Sequence, residues 1–75
     1  MLVETFSSAT LGLRRRVPFR PYTVELRNGE RLIVPHPEAL AIYDNLAQLH
    51  EPDKSRRYFD ATSVLQVYSI VVPSG

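Results

Sequence analysis

Near the middle of the 75-residue chain, His36 and Glu38 flank Pro37 and could hold a proton or a metal ion. Asp44 and His50 are the side chains that could join them from nearby strands. A metal site needs three or four converging ligands, and here two are close in sequence with no known metal-ligand spacing. The alternative is a stiff corner in which His36 bonds backbone carbonyls and Glu38 caps amides. We therefore expect no metal ion and no cofactor.

A second chemical feature is the segment GLRRRVPFRPY, residues 12–22, which carries four arginines. Guanidinium groups bind phosphates, and an aromatic ring offers a face on which a base can stack. The candidate nucleic-acid-binding residues are Arg14, Arg15, Arg16, Phe19 and Arg20. Binding of RNA or DNA is thus one hypothesis for this segment.

The same segment also fits a structural role. Pro18 and Pro21 set a stiff, extended connector, and Phe19 anchors it to the core. The arginines are then solvated or pair with three glutamates, Glu4, Glu25 and Glu30. The formal net charge of +1 favours this alternative, because dedicated nucleic-acid modules usually carry a larger positive charge.

No catalytic motif is present in the sequence. It has no glycine-rich phosphate loop, no cysteine and no nucleophile motif around its serines. A pocket of roughly 300 Å³ or more would also consume much of the core of so small a protein. We therefore expect a protein that is not an enzyme.

Length and composition limit the architecture. A chain of 75 residues forms one domain and buries only about 60% of the surface that its unfolded form exposes. Without cysteine no disulfide can stabilise this core, so we expect a homo-oligomer. No apolar run approaches the roughly 20 residues of a membrane-spanning helix, and Glu4 stands where a signal peptide would carry positive charge. The expected location is cytoplasmic, with no membrane partner.

The N-terminal segment predicts a helix at residues 2–12. Its apolar residues recur at spacings of four, three and four, as one helical stripe does: Leu2, Phe6, Ala9 and Leu13. Gly12 fits the left-handed position that ends a helix. Because so short a helix is not stable alone, its stripe must dock on a sheet face or plug the end of a β-structure.

A β-hairpin is predicted after the connector. Residues 22–26 alternate apolar and polar side chains, and an Asn-Gly pair signals the turn. A three-residue loop at 27–29 pairs Val24 with Leu32 and puts Gly29 at the position that needs a left-handed residue. This register collects five apolar side chains on one face: Tyr22, Val24, Leu26, Leu32 and Val34. We predict this loop, with its bulge, rather than a two-residue turn.

Residues 37–50 fit two structures. Pro37 at a first-turn position, Glu38 behind it and apolar residues near helical spacing before Pro52 favour a second helix of about 13 residues, and so an α+β fold. The alternative is a turn at 36–40, a strand at 41–43, a tight turn at Asp44-Asn45 and a returning strand at 46–51. Propensity alone favours the helix.

The C-terminal third is predicted to be β. Residues 57–59 form a short strand, Asp60 caps a single turn at 61–63, and residues 64–72 form a strand that is apolar on both faces. A strand, a tight turn and a closing strand are the expected ending of a small five-stranded barrel. The predicted boundaries are a helix at 2–12, a connector at 13–21, a barrel at 22–72 and a frayed tail at 73–75.

The run RRVPFRPYTVELRNGERLIVPHPE, residues 15–38, resembles a group of short uncharacterised bacterial proteins. In them an arginine-rich Pro-Phe-Arg-Pro-aromatic connector leads into a strand, an Asx-Gly turn, a second strand and a His-Pro-Glu element. They usually continue in strands and end with an Asp before a hydrophobic strand, as Asp60 stands here. The resemblance implies strands at 37–50, and it implies a layout rather than an activity.

The chain also resembles, less closely, the Sm-like fold, which is an N-terminal helix followed by five curved strands. Three stretches lie near the two Sm motifs: Val24-Glu25-Leu26 with Asn28-Gly29, Tyr43-Asp44-Asn45-Leu46, and Phe59-Asp60-Ala61. Asp60-Ala61 replaces the Arg-Gly pair of the second motif, on which Sm-type RNA pockets rely. The implied fold is a mainly β, five-stranded Sm-like or SH3-type barrel with an N-terminal α-helix.

Three functions are compatible with these features. The first is a non-enzymatic binding or assembly module that self-associates through the edge strands of an open barrel, because unpaired edges and a marginal core favour pairing with another chain. The second is a nucleic-acid-binding protein, with RNA as the partner of the basic connector. The third is a metal- or ligand-dependent enzyme with a site near His36 and Glu38.

Overall fold

The computed structural model describes residues 1–51 and 53–69, which form a mainly β domain with an N-terminal helix. The elements are helix α1 (Val3–Arg14) and strands β1 (Tyr22–Leu26), β2 (Arg31–Val34), β3 (Leu40–Tyr43), β4 (Leu46–His50), β5 (Arg56–Asp60) and β6 (Val64–Tyr68). The strands form two antiparallel three-stranded sheets, in the orders β2-β1-β6 and β3-β4-β5. The predicted fold class, mainly β with an N-terminal helix, is confirmed. No helix in the described part of the chain is long and apolar enough to cross a membrane.

The strand count differs from the prediction. The described residues contain six strands rather than five, and their two sheets do not close into one barrel. The chain breaks between β2 and β3, where Pro35 and Pro37 lack the N–H groups that a continuous ladder needs, and so forms two strands there. Residues 70–72 of the predicted last strand and the predicted tail at 73–75 lie outside the described residues.

Helix α1 buries one stripe against the sheets. Phe6 is fully buried, and Leu13 packs half-buried against the same core. The predicted end at Gly12 is wrong, because the helix continues to Arg14 and its C-cap, Arg15, has right-handed geometry (φ −84°, ψ −3°). Because the helix continues past Gly12, Leu13 lies two turns after Phe6 on the same face of the helix. The helix therefore ends only after its last contact with the core.

The hairpin of β1 and β2 has the predicted register and loop. Val24 pairs with Leu32, and the Gly29 N–H donates to the Leu26 carbonyl (3.0 Å). Gly29 has φ +93°, a conformation that side chains rarely allow. The three-residue loop is therefore confirmed, and glycine is needed at its last position.

Residues 40–50 form two strands, so the alternative with a second helix at 37–50 is wrong. Leu40 pairs with Leu49, and both side chains are buried. The turn between the strands holds Asp44 in the left-handed region (φ 55°), which Asp tolerates. Helix propensities differ by only about 0.7 kcal/mol per residue, whereas burying one leucine contributes about 1.5–3 kcal/mol. Packing therefore overrides the local preference.

A 3-10 turn at Ala61–Ser63 connects β5 to β6, as predicted. Asp60 occupies the N-cap position, but its carboxylate forms no capping hydrogen bond, so the predicted capping role is wrong. The Ala61 N–H donates instead to the Asn45 carbonyl (2.8 Å), in the turn between β3 and β4. The start of this turn is thus stabilised by another turn rather than by its own cap residue.

The core lies where the helix meets the two sheets. Phe6 of α1 contacts Phe59 of β5 edge-on, with ring centroids 6.0 Å apart. The helix also packs on β6 and on the 3-10 turn. The largest fully buried side chains are Tyr22, Phe6, Leu49, Val24, Val34 and Val64. Helix α1 is therefore the element that both sheets share.

Two glycines provide a matched test of the backbone assignments. Gly29→Ala should lower the free energy of unfolding by about 1–2 kcal/mol, because a left-handed backbone penalises a Cβ atom. Gly12→Ala should raise it by about 0.5–1 kcal/mol, because alanine is the better helix former. An added Cβ would have no neighbour within 4 Å at either position, so backbone conformation sets both signs. Urea denaturation followed by circular dichroism measures both, and a destabilised Gly12→Ala variant would contradict a helix that continues through Gly12.

Candidate functional site

The arginine-rich connector between α1 and β1 lies on the surface. Its Val17–Pro18 peptide bond is cis, and Val17 is almost fully exposed. The Arg16 guanidinium donates from Nη1 to the Ser69 hydroxyl oxygen (3.0 Å). Arg16 and Arg20 line one shallow cleft of about 410 Å³ around Val17 and Pro18. The structure therefore brings these two candidate arginines together.

Phe19 fixes the connector to the core. Its side chain is half-buried against the core cluster, and its ring meets Tyr22 edge-on with centroids 6.2 Å apart. The anchoring role considered for Phe19 is confirmed. Base stacking on the same ring stays a prediction, and a base would have to share the ring with these core contacts.

Arg14 and Arg15 lie at the end of α1, away from the cleft. Arg14 is the last helical residue and lines a separate cavity of about 390 Å³ together with Tyr22 and Asp44. Arg15 follows as the exposed C-cap residue. The five candidate residues thus occupy three places: the helix end, the cleft and the core contact of Phe19.

Two of the glutamates considered as partners of the connector pair elsewhere. Glu25 lies 3.9 Å from Arg31, and Glu30 forms an ion pair with Arg57. Of the two alternatives for the connector arginines, solvation or pairing with glutamates, pairing with Glu25 and Glu30 is wrong, because these glutamates pair with Arg31 and Arg57. Within residues 1–51 and 53–69, no connector arginine forms an ion pair, with Glu4 or any other carboxylate. The connector therefore retains its positive charge.

His36 and Glu38 lie exposed in the segment between β2 and β3. The His36 carbonyl accepts a hydrogen bond from the Ala39 N–H (3.1 Å), which closes the corner. His50 lies elsewhere, on β4, where its ring is 3.2 Å from the Gln48 amide. No three His, Asp or Glu side chains among the described residues are arranged to hold a metal ion. The geometry thus assembles no metal centre around His36 in this part of the chain.

A groove beside β5 was not predicted from the sequence. It has a volume of about 580 Å³ and lies between the β1–β2 loop, β5 and the 3-10 turn. Tyr58 projects into solvent at its wall, whereas the adjacent Phe59 is buried. The groove walls come from segments far apart in sequence, so no local motif could reveal it. The available signal in the sequence was the pair Tyr58-Phe59, because successive side chains of a strand point to opposite faces and one of these two aromatic rings must therefore be exposed.

The ion pair between Glu30 and Arg57 crosses this groove and links the two sheets. The Glu30 carboxylate also accepts a hydrogen bond from the Asn28 side-chain amide (2.9 Å). The bonds from Asn28 and then from Arg57 hold the pKa of the Glu30 carboxyl below its ordinary value. The anionic form of Glu30 thus fastens the hairpin of the first sheet to the edge of the second.

Comparisons with protein-family models, curated proteins and solved structures find no match to this chain. The described surface has three kinds of feature that could bind a partner: the edges of two sheets, the charged connector and the cavities between elements. Each of these features has a chemistry that can be tested separately.

The Glu30 interaction predicts a specific dependence of stability on pH. A carboxyl whose pKa is lowered in the native state stabilises the fold above its unfolded pKa, and this contribution disappears as pH falls through the lowered native value. Glu30→Gln should therefore be less stable than the wild type at neutral pH, with a difference that shrinks in the acid range below about pH 4. Urea denaturation across pH measures the difference. Glu38→Gln, at an exposed glutamate outside this network, is the control, and a pH-independent difference for Glu30→Gln would contradict the assignment.

Proposed function

We propose that the protein is a small non-catalytic binding and assembly module that self-associates through the edges of its two sheets. The observation that carries this proposal is the composition of β6. Its five residues, Val64–Tyr68, include no charge and no proline, and Leu65 is half exposed on it. Edge strands of monomeric proteins are usually protected by such residues, so an unprotected edge favours pairing with another strand.

Strand β5 is the other edge of the proposed pairing, and unlike β6 it carries charged residues: Arg56, Arg57 and Asp60. It has one strand neighbour, β4, among the described residues, and Tyr58 extends from it beside the groove. We propose that β6 of one copy pairs with β5 of the next. Because the two edges differ, this pairing is head-to-tail and repeats from copy to copy, which gives a ring if the rotation between copies closes and a filament if it does not. Burial of Tyr58 and Leu65 would add to a core that is marginal for a chain of this length.

The five-stranded barrel is part of the same proposal. Strands β2 and β3 are consecutive, and each is the outer strand of a different sheet. If they are counted as one strand interrupted at Pro35 and Pro37, the chain has an N-terminal helix, five strands and a 3-10 turn before the last strand. That order supports an open barrel of the Sm or SH3 type, with β5 and β6 at the opening.

A lysine on the β6 edge should prevent assembly. In Leu65→Lys the charge would have to be buried in the new sheet, so the native mass should fall to that of a monomer while the circular dichroism spectrum is unchanged. Light scattering after gel filtration measures the mass. The matched control is Ile33→Lys, at an exposed position of β2, an edge strand that the proposed pairing does not use.

Concentration dependence gives a second readout. The melting temperature of a self-associating protein rises with protein concentration, and in Leu65→Lys this rise should disappear. A wild type that is monomeric at every concentration would refute self-association. Dissociation by Ile33→Lys with no effect of Leu65→Lys would refute the pairing of β5 with β6.

One observation favours a second function, the binding of nucleic acid by the connector. Among the described residues, Arg31 and Arg57 are paired with glutamates, whereas Arg16 and Arg20 line a solvent-exposed cleft without a carboxylate partner. The neighbouring Arg15 is exposed as well. Unneutralised guanidinium groups on one short segment are suited to phosphates, and single-stranded RNA is the proposed ligand.

Removing connector charge should weaken RNA binding and reduce its salt dependence. The test variant replaces three arginines by alanine: Arg15, Arg16 and Arg20. The slope of log K against log salt should become shallower by about 0.7 for each lost phosphate contact, or about 2 for three. Fluorescence anisotropy with a single-stranded RNA measures both quantities.

The control variant removes the same charge elsewhere, at three exposed arginines: Arg27, Arg31 and Arg56. It should retain most of the affinity. An equal loss of RNA affinity in both variants would show nonspecific electrostatic attraction rather than a binding site on the connector. Absence of RNA binding at low salt would refute this second function.

A further inference from the structure

The cavity at the end of α1 is separate from the connector cleft and from the groove beside β5. It has a volume of about 390 Å³, within the range of small-molecule sites. Helix α1 forms one wall, β3 and its turn form another, and Tyr22 of β1 closes it. The residues that matter for its chemistry are Leu11, Arg14, Tyr22, Ile42 and Asp44.

Two opposite charges line this cavity without neutralising each other. The ion pairs of the described residues are Glu25 with Arg31 and Glu30 with Arg57, so Arg14 and Asp44 do not pair. Arg14 lies in the last turn of the helix and Asp44 in the tight turn, with φ 55°, and both residues are exposed. A ligand that carries both charges would satisfy both groups at once.

Tyr22 adds a neutral hydrogen-bond donor. Its side chain is 2% exposed, and no hydrogen bond joins its hydroxyl to another described residue. Tyr22 lines the cavity, and no side-chain oxygen or nitrogen that is fully buried in the described ranges lacks a partner. Burial raises the pKa of Tyr22 to about 12, against a smaller lowering by the nearby Arg14 cation. The phenol therefore stays protonated at physiological pH and can donate to an anion.

The rest of the lining is mainly aliphatic, with Ser7 and Thr10 as its remaining polar residues. Leu11 is partly exposed at the mouth, and Ile42 is half-buried. The Thr10 hydroxyl donates to the carbonyls of Phe6 and Ser7 (3.0 Å each). Beside the two charges, the cavity thus offers an aliphatic surface.

We propose that this cavity binds a small zwitterion with an aliphatic body, such as a free aliphatic α-amino acid. The ligand carboxylate accepts hydrogen bonds from Arg14 and Tyr22, and its ammonium group donates to Asp44. The aliphatic side chain packs on Leu11 and Ile42. A multiply charged anion such as a nucleotide is disfavoured, because the Asp44 carboxylate faces the same space.

Ligand analogues test the two charged contacts separately. Calorimetric titration with leucine should show saturable binding by the wild-type chain. Leucinamide, which lacks the carboxylate, and 4-methylpentanoate, which lacks the ammonium group, should each bind about tenfold more weakly or worse, since each loses a charge-assisted hydrogen bond.

Substitutions at Arg14 and Asp44 show which residue contacts each charged group of the ligand. Arg14→Gln should weaken leucine binding about tenfold or more without changing the response to leucinamide. Asp44→Asn should remove the advantage of leucine over 4-methylpentanoate, and Asn tolerates the left-handed turn as Asp does. Arg15→Gln, at the adjacent arginine outside the cavity, is the control and should bind leucine as the wild type does. Circular dichroism of each variant checks that it folds.

The proposal is overturned if the wild type shows no saturable binding of leucine, valine, isoleucine or methionine. It is also overturned if 4-methylpentanoate binds as tightly as leucine, or if Arg15→Gln loses as much affinity as Arg14→Gln. None of these outcomes depends on RNA binding or on native mass, so the test is independent of the proposed function.

Discussion

Phe6 is completely buried, and its ring meets the edge of Phe59 at a centroid distance of 6.0 Å. Helix α1 carries Phe6 and packs on β6 of the first sheet, whereas Phe59 belongs to β5 of the second. This ring pair therefore joins the helix to the second sheet, and the packing of the helix on β6 joins it to the first. Such a pair contributes about 0.5–1.5 kcal/mol beyond the area it buries. That is a large share of the stability of a chain with no disulfide and a small core.

A helix that bridges the two sheets has consequences for their edges. The second sheet is tied to the first by the bond from Ala61 to Asn45 and by the ion pair of Glu30 with Arg57. These contacts are made by turns and side chains rather than by a strand ladder. The sheets are thus held together while β5 and β6 each have a single strand neighbour among the described residues.

The parts of the fold that were predictable from the sequence are those set by local chemistry. The hairpin register followed from the need for a left-handed Gly29 and from the alternation around Val24, and both features act within a few residues. Residues 37–50 could not be decided locally, because Pro37 and Glu38 favour a helix start whereas burial of Leu40 and Leu49 favours strands. The strand alternative, in which Leu40 pairs with Leu49, is the one that forms. The helix end predicted at Gly12 was wrong because the apolar stripe of the helix extends past it to Leu13. Packing of Leu13 against the core overrides the local preference of glycine for a helix end.

The distribution of charge shows why the candidate sites were only partly predictable. A net charge of +1 describes the whole chain and argued against a basic surface. In the fold, Glu25 and Glu30 pair with arginines of the sheets, whereas the arginines of the connector and the helix end pair with no described carboxylate. Arg14 lines a cavity together with Tyr22 and Asp44, which come from two other elements of the fold. Arg14, Arg15 and Arg16 are adjacent in sequence but lie in different surroundings, because Arg14 lines this cavity and Arg16 lines the connector cleft. Each of these arginines can therefore bind a different group.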